Sequence, residues 1–241
     1  METHLDYLIL HQLNHWVTSS KFLTGQAIFL NDSGFSELLI ALTVVALWFL
    51  KGAEADQNAK ICQRILLMFF ALVPTYILAR LLQSVVHRSR PIIDVALVIP
   101  KDLELWHSGQ VSFSHFWGSF PSDHEALFFI FAIGFFTINK PLGILTFLFS
   151  LYYGVMRVSV GYLWPSDILG GAILGSLVML LMLSLKSRSL ISNALEYLLL
   201  QFKHYPAWLY TASFLFLSDF QQDFLFLKKI SSLVFHQRLF H

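Results

Sequence analysis

From Ile65 to Val86 the chain runs for 22 residues with a single charged side chain, Arg80. A helix needs about 20 mostly apolar residues to cross roughly 30 Å of hydrocarbon, so this stretch reads as a membrane span. Others resemble it. Phe35 to Leu50 is a shorter first candidate, Pro121 or Ser122 to Ile138 a third, Pro141 to about Val160 a fourth, and about Ser166 to Leu185 a fifth. A sixth is expected near Pro206 to Leu217. The Asn139-Lys140 turn predicts an antiparallel hairpin, and Pro74 is placed to kink the second span. Gly170, Gly171 and Gly175 allow the fifth to approach a neighbour closely. Only 13% of the 241 residues are charged, against about 25% in soluble domains. That speaks against a water-soluble enzyme, a coiled coil or a disordered hub. The expected fold is all-α: a polytopic membrane bundle of about six transmembrane helices. A net charge of +1 gives no reason to expect nucleic acid as a partner. One cysteine, Cys62, rules out an intramolecular disulfide framework and a thiolate zinc cluster.

The first 30 residues differ in kind. Leu5, Leu8, Ile9, Leu13 and Trp16 recur at helical spacing with Asp6, His11 and Asn14 between them. This predicts an interfacial amphipathic helix, with a helix merely buried in the bundle as the alternative. Three parts follow: an amphipathic segment over 1–30, a membrane core over 35–185 and a membrane-associated tail over 186–241. Lysine and arginine placement sets the orientation. Lys51, Lys60, Arg64, Lys140, Lys186 and Arg188 fall on one side, which reads as cytoplasmic. Lys21 and Lys101 fall on the other, periplasmic or external, side. Lys228, Lys229 and Arg238 fit poorly with a tail that ends outside after six simple crossings.

Three polar clusters sit at span ends. His87-Arg88-Ser89-Arg90-Pro91 closes the second span, and Phe120-Pro121-Ser122-Asp123-His124 opens the third. Arg157 ends the fourth, and Pro165-Ser166-Asp167 starts the fifth. Helix alternation alone puts all three on the external face. Arg88, Arg90 and Arg157 bring planar donor forks suited to phosphate. Ser122 and the amides after it lie at a helix start, where unpaired N–H groups attract anions. His124 is able to move a proton near neutral pH. Each feature alone has a plainer reading: Ser122 as an N-cap, Arg88 and Arg90 as interfacial anchors, Arg157 snorkelling, Ser166-Asp167 as a cap. Together on one face they point to a phosphate site.

These residues resemble the type 2 phosphatidic acid phosphatase and haloperoxidase-like superfamily, whose members share three ordered motifs. The first is Lys, six residues, then Arg-Pro; the second is Pro-Ser-x-His; the third is Ser-Arg, five residues, His, three residues, then Asp. Arg90-Pro91, Pro121-Ser122-Asp123-His124, and Arg157 with Asp167 match in order and spacing. The resemblance covers roughly residues 35–185. It implies that His124 protonates the leaving oxygen, that Asp167 orients the attacking histidine, and that Arg90, Ser122 and Arg157 clamp the phosphoryl group. It also implies a metal-independent lipid phosphomonoesterase, diphosphatase or phosphotransferase that uses no cofactor. No H-E-x-x-H spacing suggests a metal either.

Two family positions are changed. Six residues after Arg157 stands Leu163, where the resemblance implies a nucleophilic histidine. Leucine has no lone pair to attack phosphorus. Seven before Arg90 stands Gln83 in place of lysine, and Met156 replaces the serine before Arg157. Arg80, close to one turn deeper, and Arg88, judged the better placed, are candidates to restore the missing charge. His87, His107 and His115 are candidate substitute nucleophiles, and His124 activating water is another route. The site at the external membrane edge favours a phosphorylated membrane lipid. By resemblance the candidates are undecaprenyl diphosphate, phosphatidic acid, phosphatidylglycerol phosphate and the lipid A phosphate, in a bacterial inner membrane. The rival expectation is a catalytically silent lipid-phosphate binder that partners an envelope-biosynthesis protein. A transporter fits less well, having too few crossings and no inverted repeat.

Overall fold

The computed structural model describes residues 3–32, 34–49, 55–95, 97, 118–186, 189–206 and 211. Every regular element among them is helical. The order is α1 (His4–Thr18), α2 (Lys21–Asp32), α3 (Phe35–Phe49), α4 (Ala55–Val86), a one-turn α5 (Pro91–Asp94), α6 (Asp123–Ile138), α7 (Lys140–Ser159), α8 (Pro165–Leu185) and α9 (Ser189–His204).

Helix α6 is the centre of the bundle, packed against α4, α7 and α8. Its residues from Glu125 to Ala132, with Gly134 and Phe135, are all buried. A helix that is apolar on every side belongs inside its neighbours. Two glycines of α8 permit that packing. A Cβ at Gly171 would run into the Ser122 carbonyl, and one at Gly175 into the Ala126 carbonyl. Helix α7 turns back on α6 through Asn139, whose side chain accepts from the Leu142 N–H at 3.1 Å. Gly161, with φ +81°, lets the chain leave α7 in a left-handed conformation that other residues adopt only at a cost. Helix α4 runs through Pro74 for 32 residues, about 48 Å at 1.5 Å per residue.

The chain is an all-α, polytopic integral membrane protein. Among the described residues, three stretches are long and apolar enough to cross a membrane: Gln57–Ile93, Lys140–Ser159 and Pro165–Leu185. The bent pair Lys21–Asn31 and Phe35–Phe49, meeting at 60°, makes a fourth if it is one broken span. That is fewer than the six expected. Helix α6 has only 16 residues, about 24 Å, and is shielded by its neighbours. The expected sixth span near Pro206 to Leu217 falls almost wholly outside the described residues.

Helix α1 lies against α7 and α8, and its faces are inverted relative to a soluble surface helix. Asp6, Leu10, Asn14 and Val17 are buried, while Leu5 is 63% and Leu8 56% exposed and Trp16 also faces outward. Burying an aspartate while exposing leucines is unfavourable in water and reasonable beside lipid. The buried polar groups are satisfied: the Asn14 amide donates to the Ser159 carbonyl at 2.9 Å.

Candidate phosphate site

The three polar clusters meet at one end of the bundle, joined by backbone bonds. The Ser122 N–H donates to the Asp167 carbonyl at 3.1 Å, the Ser119 N–H to Arg88 at 2.8 Å, and the Ile92 N–H to Gly161 at 2.9 Å. The Trp164 indole N–H donates to the Ser89 carbonyl at 2.9 Å. Thus the ends of α4 and α7 and the starts of α6 and α8 form one platform. Two side-chain networks divide it.

In the first network Arg88 is the hub. Its guanidinium donates to Ser166 Oγ at 2.7 Å, to Asp167 Oδ1 at 2.7 Å and to Asp6 Oδ2 at 2.9 Å. It also lies 5.3 Å from the Trp164 ring centroid. The other Asp167 oxygen accepts from the Trp164 N–H at 2.8 Å, so that carboxylate starts α8 as well as neutralising Arg88. Asp6 further accepts from the Ser166 N–H and hydroxyl at 3.1 and 3.0 Å. Sequence reasoning offered Arg88 as a phosphate ligand and Asp167 as the orienting carboxylate. Here their side chains are bonded to each other and to α1. Leu163, at the position of the implied nucleophile, is buried in the apolar core.

The second network gathers Arg80, Gln83, Asp123 and His124. The Arg80 guanidinium donates to Gln83 Oε1 at 2.8 Å and to Asp123 Oδ2 at 2.7 Å. Gln83 in turn donates to the Pro121 carbonyl at 2.9 Å, which ties α4 to the start of α6. Sequence reasoning preferred Arg88 over Arg80 as the substitute charge. Arg80 is the one that reaches this network, because Gln83 holds it across the single turn between them. His124 Nδ1 lies 2.9 Å from Asp123 Oδ1. A carboxylate accepts only, so Nδ1 carries the proton and donates it to Asp123.

Arg90 and Arg157 complete this side. Arg157 donates to the Tyr153 hydroxyl at 2.9 Å and lies 5.4 and 5.8 Å from the Tyr153 and Tyr162 ring centroids. Tyr153 donates on to Glu37 Oε1 at 3.5 Å. Among the described residues the Arg90 guanidinium has no hydrogen-bond partner, and its Nε is buried. The charges of Arg157 and Arg80 press against that of Arg90, with Asp123 opposing them. Three guanidinium groups around one carboxylate make an electrostatic site for an anion. Ser122, also expected to touch phosphate, is buried and caps α6 by accepting from the Glu125 N–H at 3.3 Å.

Glu125 was missed. It is 0% exposed; one oxygen accepts from Ser150 at 2.7 Å and the other is buried without a hydrogen-bond partner. Asp6 was missed too, because its place among leucines and polar residues reads as the wet face of α1. His87 is exposed and its Nδ1 is 3.1 Å from the Val85 carbonyl. His107 and His115 lie outside the described residues. Among the described residues no three His, Cys, Asp or Glu side chains are grouped as a metal ion requires.

Residues 64–190 match the model of the PAP2 superfamily. No curated protein matches the chain. One similar solved structure is described as the crystal structure of the first transmembrane PAP2 type phosphatidylglycerolphosphate phosphatase from Bacillus subtilis. It shares 19% identity with a TM-score of 0.49, over 78% of this chain and 89% of that one.

Proposed function

Since the chain belongs to the PAP2 superfamily, we propose that it takes the phosphate or diphosphate group of a membrane lipid at the external face of a bacterial inner membrane. The head group sits on Arg90, Arg157 and Arg80, and the apolar tail stays among the spans. The attacking group is not the family's third-motif histidine, because Leu163 stands there. One observation carries this reading. Arg90, with no hydrogen-bond partner among the described residues, sits beside two further arginines, an arrangement that an oxyanion relieves. In this reading 35–185 is the phosphatase-like core, 1–30 the amphipathic segment and 186–241 the membrane-associated tail. Helix α6 and the chain after residue 204 complete six crossings.

A second reading is supported by the first network. With Asp167 bonded to Arg88 and Leu163 in the core, the family's nucleophile and its orienting partner are both out of use. A silent lipid-phosphate binder that partners an envelope-biosynthesis protein would need neither. Inorganic phosphate release from a panel of lipid phosphates in detergent micelles separates the two readings. Turnover by the unchanged chain that is lost in His124→Ala supports an enzyme. Silence in both, with the lipid phosphates still bound, supports the silent partner. Equal release by both proteins would remove the site from the reaction.

A further inference from the structure

We infer that Asp123 and His124 form a replacement acid–base pair, with which the chain hydrolyses lipid diphosphates in a single displacement by water and leaves lipid monophosphates intact. This rests on the lipid-phosphate reading of the same site and goes beyond it in assigning the reaction. Nδ1 of His124 donates to Asp123 Oδ1 at 2.9 Å, and the His124 backbone N–H donates to the same oxygen at 3.0 Å. The other Asp123 oxygen is fixed by Arg80 at 2.7 Å. The imidazole is thereby held in the tautomer that leaves the lone pair on Nε2. A histidine oriented through Nδ1 by a carboxylate is arranged to accept a proton at Nε2. Asp167, which the family resemblance would use for such a purpose, is bonded to Arg88 instead.

The substrate restriction follows from having one such histidine. Water attacks the terminal phosphorus as Nε2 takes one of its protons. The bond from that phosphorus to the bridging oxygen breaks, and the oxygen leaves with its electron pair on the inner phosphate. The products are lipid monophosphate and inorganic phosphate, and the imidazolium returns its proton to solvent. A phosphate leaving group has a second pKa of about 6 and departs unprotonated. An alkoxide leaving group resembles hydroxide, whose conjugate acid has a pKa of about 16, and needs a second proton donor. His124 already serves the water. Arg80, Arg90 and Arg157 supply three positive charges for the three negative charges of a diphosphate.

The test uses the full chain in detergent with farnesyl diphosphate, labelled with 32P at the terminal phosphate, and with labelled farnesyl monophosphate. The expected result is phosphate release from the diphosphate, at least about a hundredfold slower release from the monophosphate, and no label on the protein after an alkaline quench. His124→Ala and the better space-filling His124→Gln should each lose about a hundredfold or more. Asp123 is a positioning residue: Asp123→Asn should lower kcat about tenfold with KM unchanged or lower, whereas a misfolded site would raise KM. Label on the protein, equal release from both substrates, or unchanged turnover in the His124 variants would overturn the inference. So would binding of both lipids without turnover, which leaves the lipid-phosphate reading standing. Neither binding nor turnover would remove both.

Discussion

Arg88 and Arg90 are two residues apart and do different work. Arg88 is a structural tie whose charge is spent on Asp6 and Asp167; Arg90 faces a cluster of like charge. The pattern Arg-x-Arg-Pro does not separate them, because which side of the chain each guanidinium takes depends on α1, which lies 82 residues away in sequence. Asp6 offers a direct test. Burial alone would raise its pKa, but hydrogen bonds from Thr3, Ser166 and Arg88 prevail and hold it below the ordinary 3.8. The unfolded chain therefore binds the proton more readily. The stabilisation is fully present above about pH 3.8 and is lost as pH falls through the lower folded value. Asp6→Asn should cost about 2 kcal/mol at neutral pH, read as a lower thermal midpoint in detergent, and the gap to the unchanged chain should close on acidification below that range. Leu163→His makes a second test. Because Arg88 holds Asp167, the new imidazole lacks its orienting carboxylate. The substitution should give no alkaline-stable phosphoprotein with labelled lipid phosphate; strong labelling would show that Asp167 is free to serve.

At the level of helices much was legible. The expected starts and ends of four spans fall within one or two residues of α3, α6, α7 and α8. Long apolar runs bounded by proline and polar pairs leave little freedom in where a helix begins. The start of α4 was not legible, since Ala55 to Arg64 is polar and becomes helical by continuing the apolar run that follows. The apolar stripe of α1 was legible but its direction was not. Periodicity gives two faces, and only packing decides that Asp6 and Asn14 turn inward. The glycine row of α8 was read as a contact surface, and Gly171 and Gly175 do meet α6. Gly175→Leu should push α8 away from Ala126 and lower stability by about 1–3 kcal/mol. Gly25→Ala, where nothing lies within 4 Å, should be neutral or mildly stabilising, by up to about 1 kcal/mol. Thermal unfolding of both variants in the same detergent makes the comparison.

For the whole molecule, α1 connects membrane surface and site. Its outward leucines suit a lipid interface, and its inward Asp6 ends on the Arg88 network beside the arginine cluster. The sequence motifs brought the phosphate clamp together in outline, but the division of the platform into a closed structural half and a charged half needed the folded bundle. The central claim is that a lipid phosphate rests on the charged half. Titration of detergent-solubilised protein into a phosphorylated lipid, followed by the lipid's 31P resonance, tests it directly. The resonance should shift or broaden with the unchanged chain, and the apparent Kd should rise about tenfold or more in Arg90→Ala and in Arg157→Ala. A 31P response of equal strength in all three proteins would contradict the account.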